Sequence, residues 1–230
     1  MNTICITLDM EWSTEPVIED VLSIIQDYDI DCTLFSTHDD GLSVGGHERA
    51  LHPNFLVQKP ESEVLDDIAS KYPQAIGLRS HSLYAHSQLR SLYSKHDIVY
   101  ESNYMMYREN GISPFTMPDG TLQLPIYFMD DVFLRHTAGD VSIMPRNLLT
   151  EIGLKVLVFH PTHICYNTPS IDFYENNKQE YYNADTNIED LRAEGYGVRE
   201  VFIDILNWID KQNNDTKTMS SVVSANEERQ

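Results

Sequence analysis

The stretch TICITLDMEW (residues 3–12) decides how the chain is read. Ile4, Ile6, Leu8, Met10 and Trp12 alternate with Cys5, Thr7, Asp9 and Glu11, the period of a β-strand. Asp9 and Glu11 therefore share one face, roughly 7 Å apart by the strand rise. An edge strand with one wet face would explain two carboxylates. So would a bound cation, because neighbouring negative charges repel unless something offsets them.

Outward from this strand, strand-like and helix-like patterns alternate. Pro16 sits where a first helical turn tolerates it, and Val17, Val21, Ile24, Ile25 and Tyr28 mark an apolar helix face. CTLFST (32–37), AIGLRS (75–80), DIVYES (97–102), LQLPIYF (122–128) and KVLVFHP (155–161) read as strands. Pro125 places the fourth of these at the periphery. Helices are expected from about Glu61, over 87–96 and over 198–211, whereas SVGGHE reads as a turn. This alternation implies parallel pairing in a layered or barrel α/β fold over a single domain, residues 1–211. From Gln212 to Gln230 the sequence is polar and aperiodic, and a disordered tail is expected.

The chain has 230 residues and a net charge of −20, from 36 acidic and 16 basic side chains. Nucleic acid and anionic membrane surfaces are poor partners for such a charge, and a small or uncharged substrate suits it better. No run of 18 apolar residues is present, so no membrane span is expected, and no signal peptide is visible. Cys5, Cys32 and Cys165 are unclustered and read as buried free thiols of a reducing compartment, with a cytoplasmic location the default.

In parallel α/β folds ligands gather at the C-terminal ends of strands. Four predicted strands end in ionisable groups: Asp9 and Glu11, His38 and Asp39, Arg79 and His81, His160 and His163. No phosphate loop and no nucleophile elbow is present. Carboxylates with histidines remain, the equipment of a hydrolase using metal-activated water.

The order of these pieces resembles the polysaccharide deacetylases, carbohydrate esterases with the NodB-like fold. Their first motif is a strand ending in an acidic pair, and TLDMEW stands in its place. LHPNF (51–55) is similar to the second motif and GLRSHSLY (77–84) to the third; FHP (159–161) resembles the last. The alternative register takes HSLYAH (81–86) as the second motif, but its histidines are five apart where the family has four. Runs such as THD, HPNF, RSHSLY and FHP resemble a divergent branch associated with bacterial surface-polysaccharide gene clusters. Adjacent aspartates, a paired histidine in the second motif and an Arg-Pro-Pro-Tyr run are all missing.

The resemblance implies a distorted (β/α) barrel and removal of acetyl groups from an amino sugar or saccharide. It makes Asp9 the general base, His160 the acid and Arg79 the groove-lining arginine. A divalent metal, zinc foremost, falls to Glu11 and His52, with His81 supplying the imidazole that the second motif lacks; His86 is the alternative. His38 and His163 become supporting groups. Asp130 and Asp131 either orient Arg79 or a histidine, or form a solvated helix start, the slightly better reading. Trp12, Tyr84, Tyr100, Tyr104 and Tyr107 are candidates for stacking on sugar rings. A carboxylate-based glycoside hydrolase and a non-catalytic saccharide-binding protein are the other classes compatible with these residues.

Overall fold

The computed structural model describes residues 2–136, 148–150, 152–183, 185–212 and 214–228. Among the described residues nine strands form one sheet: β1 (Asn2–Glu11), β2 (Cys32–Ser36), β3 (Glu48–Leu51), β4 (Gly77–Leu78), β5 (Tyr100–Glu101), β6 (Phe115–Thr116), β7 (Leu122–Gln123), β8 (Ile126–Met129) and β9 (Gly153–Phe159). Their order is β6-β7-β5-β4-β3-β2-β1-β9-β8, and every pair except β6–β7 is parallel.

β1 lies inside this sheet. Leu8 pairs with Leu34 on one side and Phe159 on the other. Residues 4–10 are all buried, Asp9 included. The edge-strand explanation of the two carboxylates is thereby removed. Both faces of β1 are covered, as parallel sheets require.

Pro125 does more than make a strand peripheral. The single strand expected over 122–128 is two strands: β8 at one edge of the sheet, and β7 next to the strand at the other edge. Three Cα steps join Gln123 to Ile126, a reach of at most about 11 Å. The sheet must therefore curl until its two ends nearly meet. Ile126 N–H donates to Tyr104 O at 2.8 Å and Met106 N–H to Ile126 O at 2.8 Å, stitching the gap. Proline cannot donate to a ladder, which makes it a natural point for the change of partner.

The helices are α1 (Glu15–Gln26), α2 (Glu61–Ala69), α3 (Arg90–Tyr93), α4 (Asp130–His136), α5 (Pro161–Cys165), α6 (Ile171–Tyr181), α7 (Ile188–Leu191), α8 (Val198–Lys211) and α9 (Met219–Glu227). The apolar stripe of α1, Val17, Ile18, Val21, Ile24 and Ile25, is buried. So are Val201, Phe202, Ile205 and Ile209 of α8. α1 packs on α5, and α5 on α8. All three cysteines are buried and unpaired; burial pushes the Cys5 and Cys165 thiols up to about 12. Among the described residues, no helix is long and apolar enough to cross a membrane.

The expected disordered tail is corrected for the described residues after 212; residues 213, 229 and 230 lie outside them. Lys217 N–H donates to Ile4 O at 2.9 Å, and α9 follows. Thr218 caps α9, its hydroxyl accepting from Ser221 N–H. Met219, Val222 and Val223 are buried against the core. Three apolar residues among serines make a weak sequence signal, but their i, i+3, i+4 spacing suffices to dock a short helix. The sequence reading also missed β3, because four residues reading Glu-Arg-Ala-Leu carry little strand signature.

Candidate active site

The chemistry-bearing residues lie at the C-terminal ends of the parallel strands, where the chain leaves the sheet and side chains can converge. β1 supplies Asp9 and Glu11, β3 is followed by His52, β4 by Arg79 and His81, β8 by Asp130 and β9 by His160. Asp9, Glu11, His52, His81 and His160, with His163, border a cleft of about 530 Å³, while Arg79 and Asp130 lie buried behind it.

Glu11 reaches the cleft through an irregular backbone. Asp9 pairs with Phe35 and Glu11 with Ser36, so two steps on β1 oppose one on β2. This bulge re-aims the strand end. Glu11 has φ 42°, a left-handed conformation costing a non-glycine residue about 1 kcal/mol or more. Two groups following β2 hold it there. The Thr37 hydroxyl donates to Glu11 O, and His38 Nδ1 lies 3.0 Å from the same oxygen.

Around the Glu11 carboxylate stand two imidazoles. His81 Nδ1 is 3.0 Å from Glu11 Oε1, without the alignment of a hydrogen bond. The His52 and His81 rings are 5.8 Å apart and nearly perpendicular. One possible ligand atom from each of Glu11, His52 and His81 lies within 4.8 Å of the others. Burial raises Glu11, but His81 and the charge of His160 outweigh it and hold the carboxyl at about 2. His52 is 1% exposed, and neither ring nitrogen has a hydrogen-bond partner among the described residues. Burial lowers its pKa to about 4, against the pull of Asp9 and Glu11. A buried polar group left unpaired costs about 1–3 kcal/mol. A neutral imidazole beside a carboxylate and a second imidazole is also what a divalent transition metal selects. The donor set fits such an ion.

Beside this trio, Asp9 is fixed from behind. Arg79 donates from Nη1 to Asp9 Oδ1 at 2.7 Å and to Thr7 Oγ1 at 2.9 Å, and from Nε and Nη2 to Ser102. Its guanidinium lies 4.1 Å from the Phe35 ring centroid and is wholly buried.

The opposite wall is built on Asp130. Its Oδ1 is 2.6 Å from His160 Nδ1, and its Oδ2 accepts from His160 N–H at 2.8 Å. Burial lowers the His160 pKa, but Asp130, then Glu11 and Asp9, overcome it and hold the imidazole well above its ordinary value. His160 Nε2 is 3.7 Å from Glu11 Oε1, so the two walls face each other across a short gap. His163 packs its ring 5.5 Å from that of His160, with Nδ1 3.2 Å from the Thr168 hydroxyl.

A family model for WbmS-like polysaccharide deacetylases matches residues 6–178. The chain belongs to this family. The fold is shared with a candidate polysaccharide deacetylase involved in O-antigen biosynthesis from Bordetella bronchiseptica. The identity is 23%, the TM-score 0.79, and 89% of this chain and 90% of that one are covered. The peptidoglycan deacetylase PdaC of Bacillus subtilis is similar at TM-score 0.55 and 10% identity, over 99% of this chain and 92% of that one. A carbohydrate esterase family 4 pseudoenzyme of Bacillus anthracis is similar at TM-score 0.53 and 9% identity, over 96% and 64% of the two chains. No curated protein matches the sequence. The expected distorted barrel is thus the observed one: a curled, nearly closed sheet of the NodB-like deacetylase type.

Within this deacetylase fold, Asp9, Glu11, His52, His81 and His160 meet at one cleft. Arg79 does not line it. The expectation of a groove-lining arginine is corrected, because the guanidinium is consumed by Asp9, Thr7 and Ser102 beneath the surface. His86 is not brought in; its Nε2 lies 2.7 Å from Glu61 Oε1. His38 meets the backbone oxygen of Glu11 and the Thr37 hydroxyl, not the Glu11 carboxylate or an imidazole. Asp130 is no solvated helix start: it is fully buried and holds His160. Tyr100 is also buried, donating to Glu48 at 2.8 Å, and cannot stack on a sugar; Tyr84 donates to Glu61. Thr37, Tyr174 and Tyr182 were not foreseen. Thr37 precedes a histidine at a strand end, a signal available in the sequence. The tyrosines line the cleft from α6 and its C-cap, far along the chain, where no local pattern marks them.

Proposed function

We propose that the protein is a metal-dependent hydrolase that removes acetyl groups from an amino sugar or saccharide, acting in surface-polysaccharide biosynthesis in the cytoplasm. The observation that carries this reading is His52: a neutral, unpartnered imidazole facing Glu11 and His81. The surface-polysaccharide setting rests on the likeness to the Bordetella bronchiseptica protein. The three buried thiols support a reducing compartment.

Glu11, His52 and His81 would hold the ion, zinc foremost. When bound, such an ion polarises an acyl carbonyl and makes water more acidic. The chain's own groups do the rest. Asp9, oriented by Arg79, accepts the proton of the attacking water. His160, kept protonated by Asp130, stands across the gap and gives its proton to the departing amine nitrogen. The acyl C–N bond breaks, and acetate and a free amino sugar leave.

A glycoside hydrolase is disfavoured: beside an ionised carboxylate it needs a second, protonated carboxyl as acid, and the buried carboxylates nearest Glu11 are committed elsewhere, Asp9 to Arg79 and Asp130 to His160. The test is acetate release from N-acetylated amino sugars by the purified protein, before and after chelation. The proposal expects release that stops on chelation and returns with added divalent ion. Bond cleavage that persists in chelator would refute it.

A further inference from the structure

Among the described residues that line the cleft, none comes from β5. Yet the two buried residues that follow this strand, Ser102 and Asn103, reach both halves of the site from behind. The Ser102 carbonyl accepts from Arg79 Nε at 3.2 Å, and its hydroxyl accepts from Arg79 Nη2 at 3.0 Å. Ser102 thus holds the guanidinium that fixes Asp9. Asn103 turns instead to Ser80, the residue before His81. Its Oδ1 accepts from Ser80 N–H at 2.8 Å, and its Nδ2 donates to Ser80 Oγ at 3.3 Å.

The turn that Asn103 grips does not hold its shape unaided. Ser82 has φ 56° and Leu83 φ 52°, two successive left-handed residues, a conformation that disfavours every side chain but glycine's. Such backbone persists only where the surroundings over-determine it. Hydrogen bonds enter the turn from two sides: from Asn103, and from Pro53 O, which accepts from His81 N–H at 3.0 Å. Pro53 follows His52, so the two histidine loops are tied to each other, and Asn103 ties both to β5.

We propose that Asn103 is a positioning residue for His81, and that Ser102 and Asn103 divide the support of the site between the base and the ligand set. The inference rests on the reading of Glu11, His52 and His81 as metal ligands. Ser102 acts through Arg79 on Asp9. Asn103 acts through Ser80 on where the His81 ring can stand. Losing such an outer partner costs a metal site about tenfold or more in affinity. An asparagine that only satisfied a buried N–H would stabilise the protein equally with and without metal.

The test is zinc affinity, read by competition with a chelating dye, beside the rise in unfolding temperature that zinc brings to the metal-free protein. Asn103→Leu keeps the branched shape but neither donates nor accepts. It should bind zinc about tenfold more weakly and show a smaller rise. Asn103→Asp keeps the acceptor for Ser80 N–H and should retain most of the wild-type affinity. Ser102→Ala should keep that affinity while acetate release falls. If Asn103→Leu does not fold, Asn103→Ala takes its place with the same expectation. Wild-type affinity in the Leu or Ala variant would overturn the proposal, as would an equally large loss in Asn103→Asp or Ser102→Ala. Weakened zinc binding in a protein that releases no acetate would leave the positioning role standing and remove the proposed activity. Chelator-sensitive acetate release with zinc affinity untouched in Asn103→Leu would do the reverse.

Discussion

His52 and His160 follow two strands, β3 and β9, that flank β1 and β2, and they face one cleft in opposite states. His52 is buried with no hydrogen-bond partner, and its pKa falls to about 4. His160 is gripped twice by Asp130 and rises well above its ordinary value. Burial depresses both. The difference is a single well-placed carboxylate. One imidazole therefore offers a lone pair at neutral pH, and the other carries a proton. On the proposed function, the same residue type is divided into a ligand and an acid by what stands behind it.

The largest expected effect falls between these two walls, at Asp9. Asp9→Asn should lower acetate release by about 10²-fold or more, the usual worth of a general base. Metal content should be retained, because Glu11, His52 and His81 are untouched. Loss of metal from this variant would move Asp9 into the ligand set and blur the division of labour.

A smaller effect is expected where Glu11 is held. Thr37→Val removes the hydroxyl that grips the Glu11 carbonyl and leaves the left-handed backbone less supported. Metal affinity should fall about tenfold, the scale of a lost outer partner, as read by competition with a chelating dye. Unchanged affinity would show that the bulge sets Glu11 by itself.

The smallest change sharpens the acid side. In its proposed role as acid His160 must be protonated, so its raised pKa should carry the active range to higher pH. Asp130→Asn removes the negative charge that raises it. The alkaline limb of the pH–rate profile should therefore move to lower pH, by about one unit or more for a charge this close. An unmoved limb would mean that another group titrates there.

The sequence displayed the strand ends better than their surroundings. Asp9, Glu11, His81 and His160 end or follow strands legible in the sequence, and the rule about ligand position reached them; His52 follows β3, which carries little strand signature, and was reached only through the resemblance of LHPNF to the family's second motif. Its limit was contact across the sequence. Arg79 looked like a groove residue because nothing local announces that Asp9, 70 positions earlier, will consume it. Asp130 looked solvated because acids are common at helix starts; its partner is 30 positions later. Pro125 signalled an interruption, but that the two halves join opposite sides of the sheet depends on the curling of the whole sheet. α9 escaped because its apolar residues are few and its capping threonine is one among several polar neighbours.

The central claim is that His52, and not His86, completes the ligand set with Glu11 and His81. Zinc affinity and stoichiometry of the purified protein should be measured beside His52→Ala and His86→Ala. The account predicts one equivalent in the wild type, an affinity loss of about tenfold or more in His52→Ala, and little change in His86→Ala. Wild-type affinity in His52→Ala, with the loss appearing in His86→Ala instead, would contradict it.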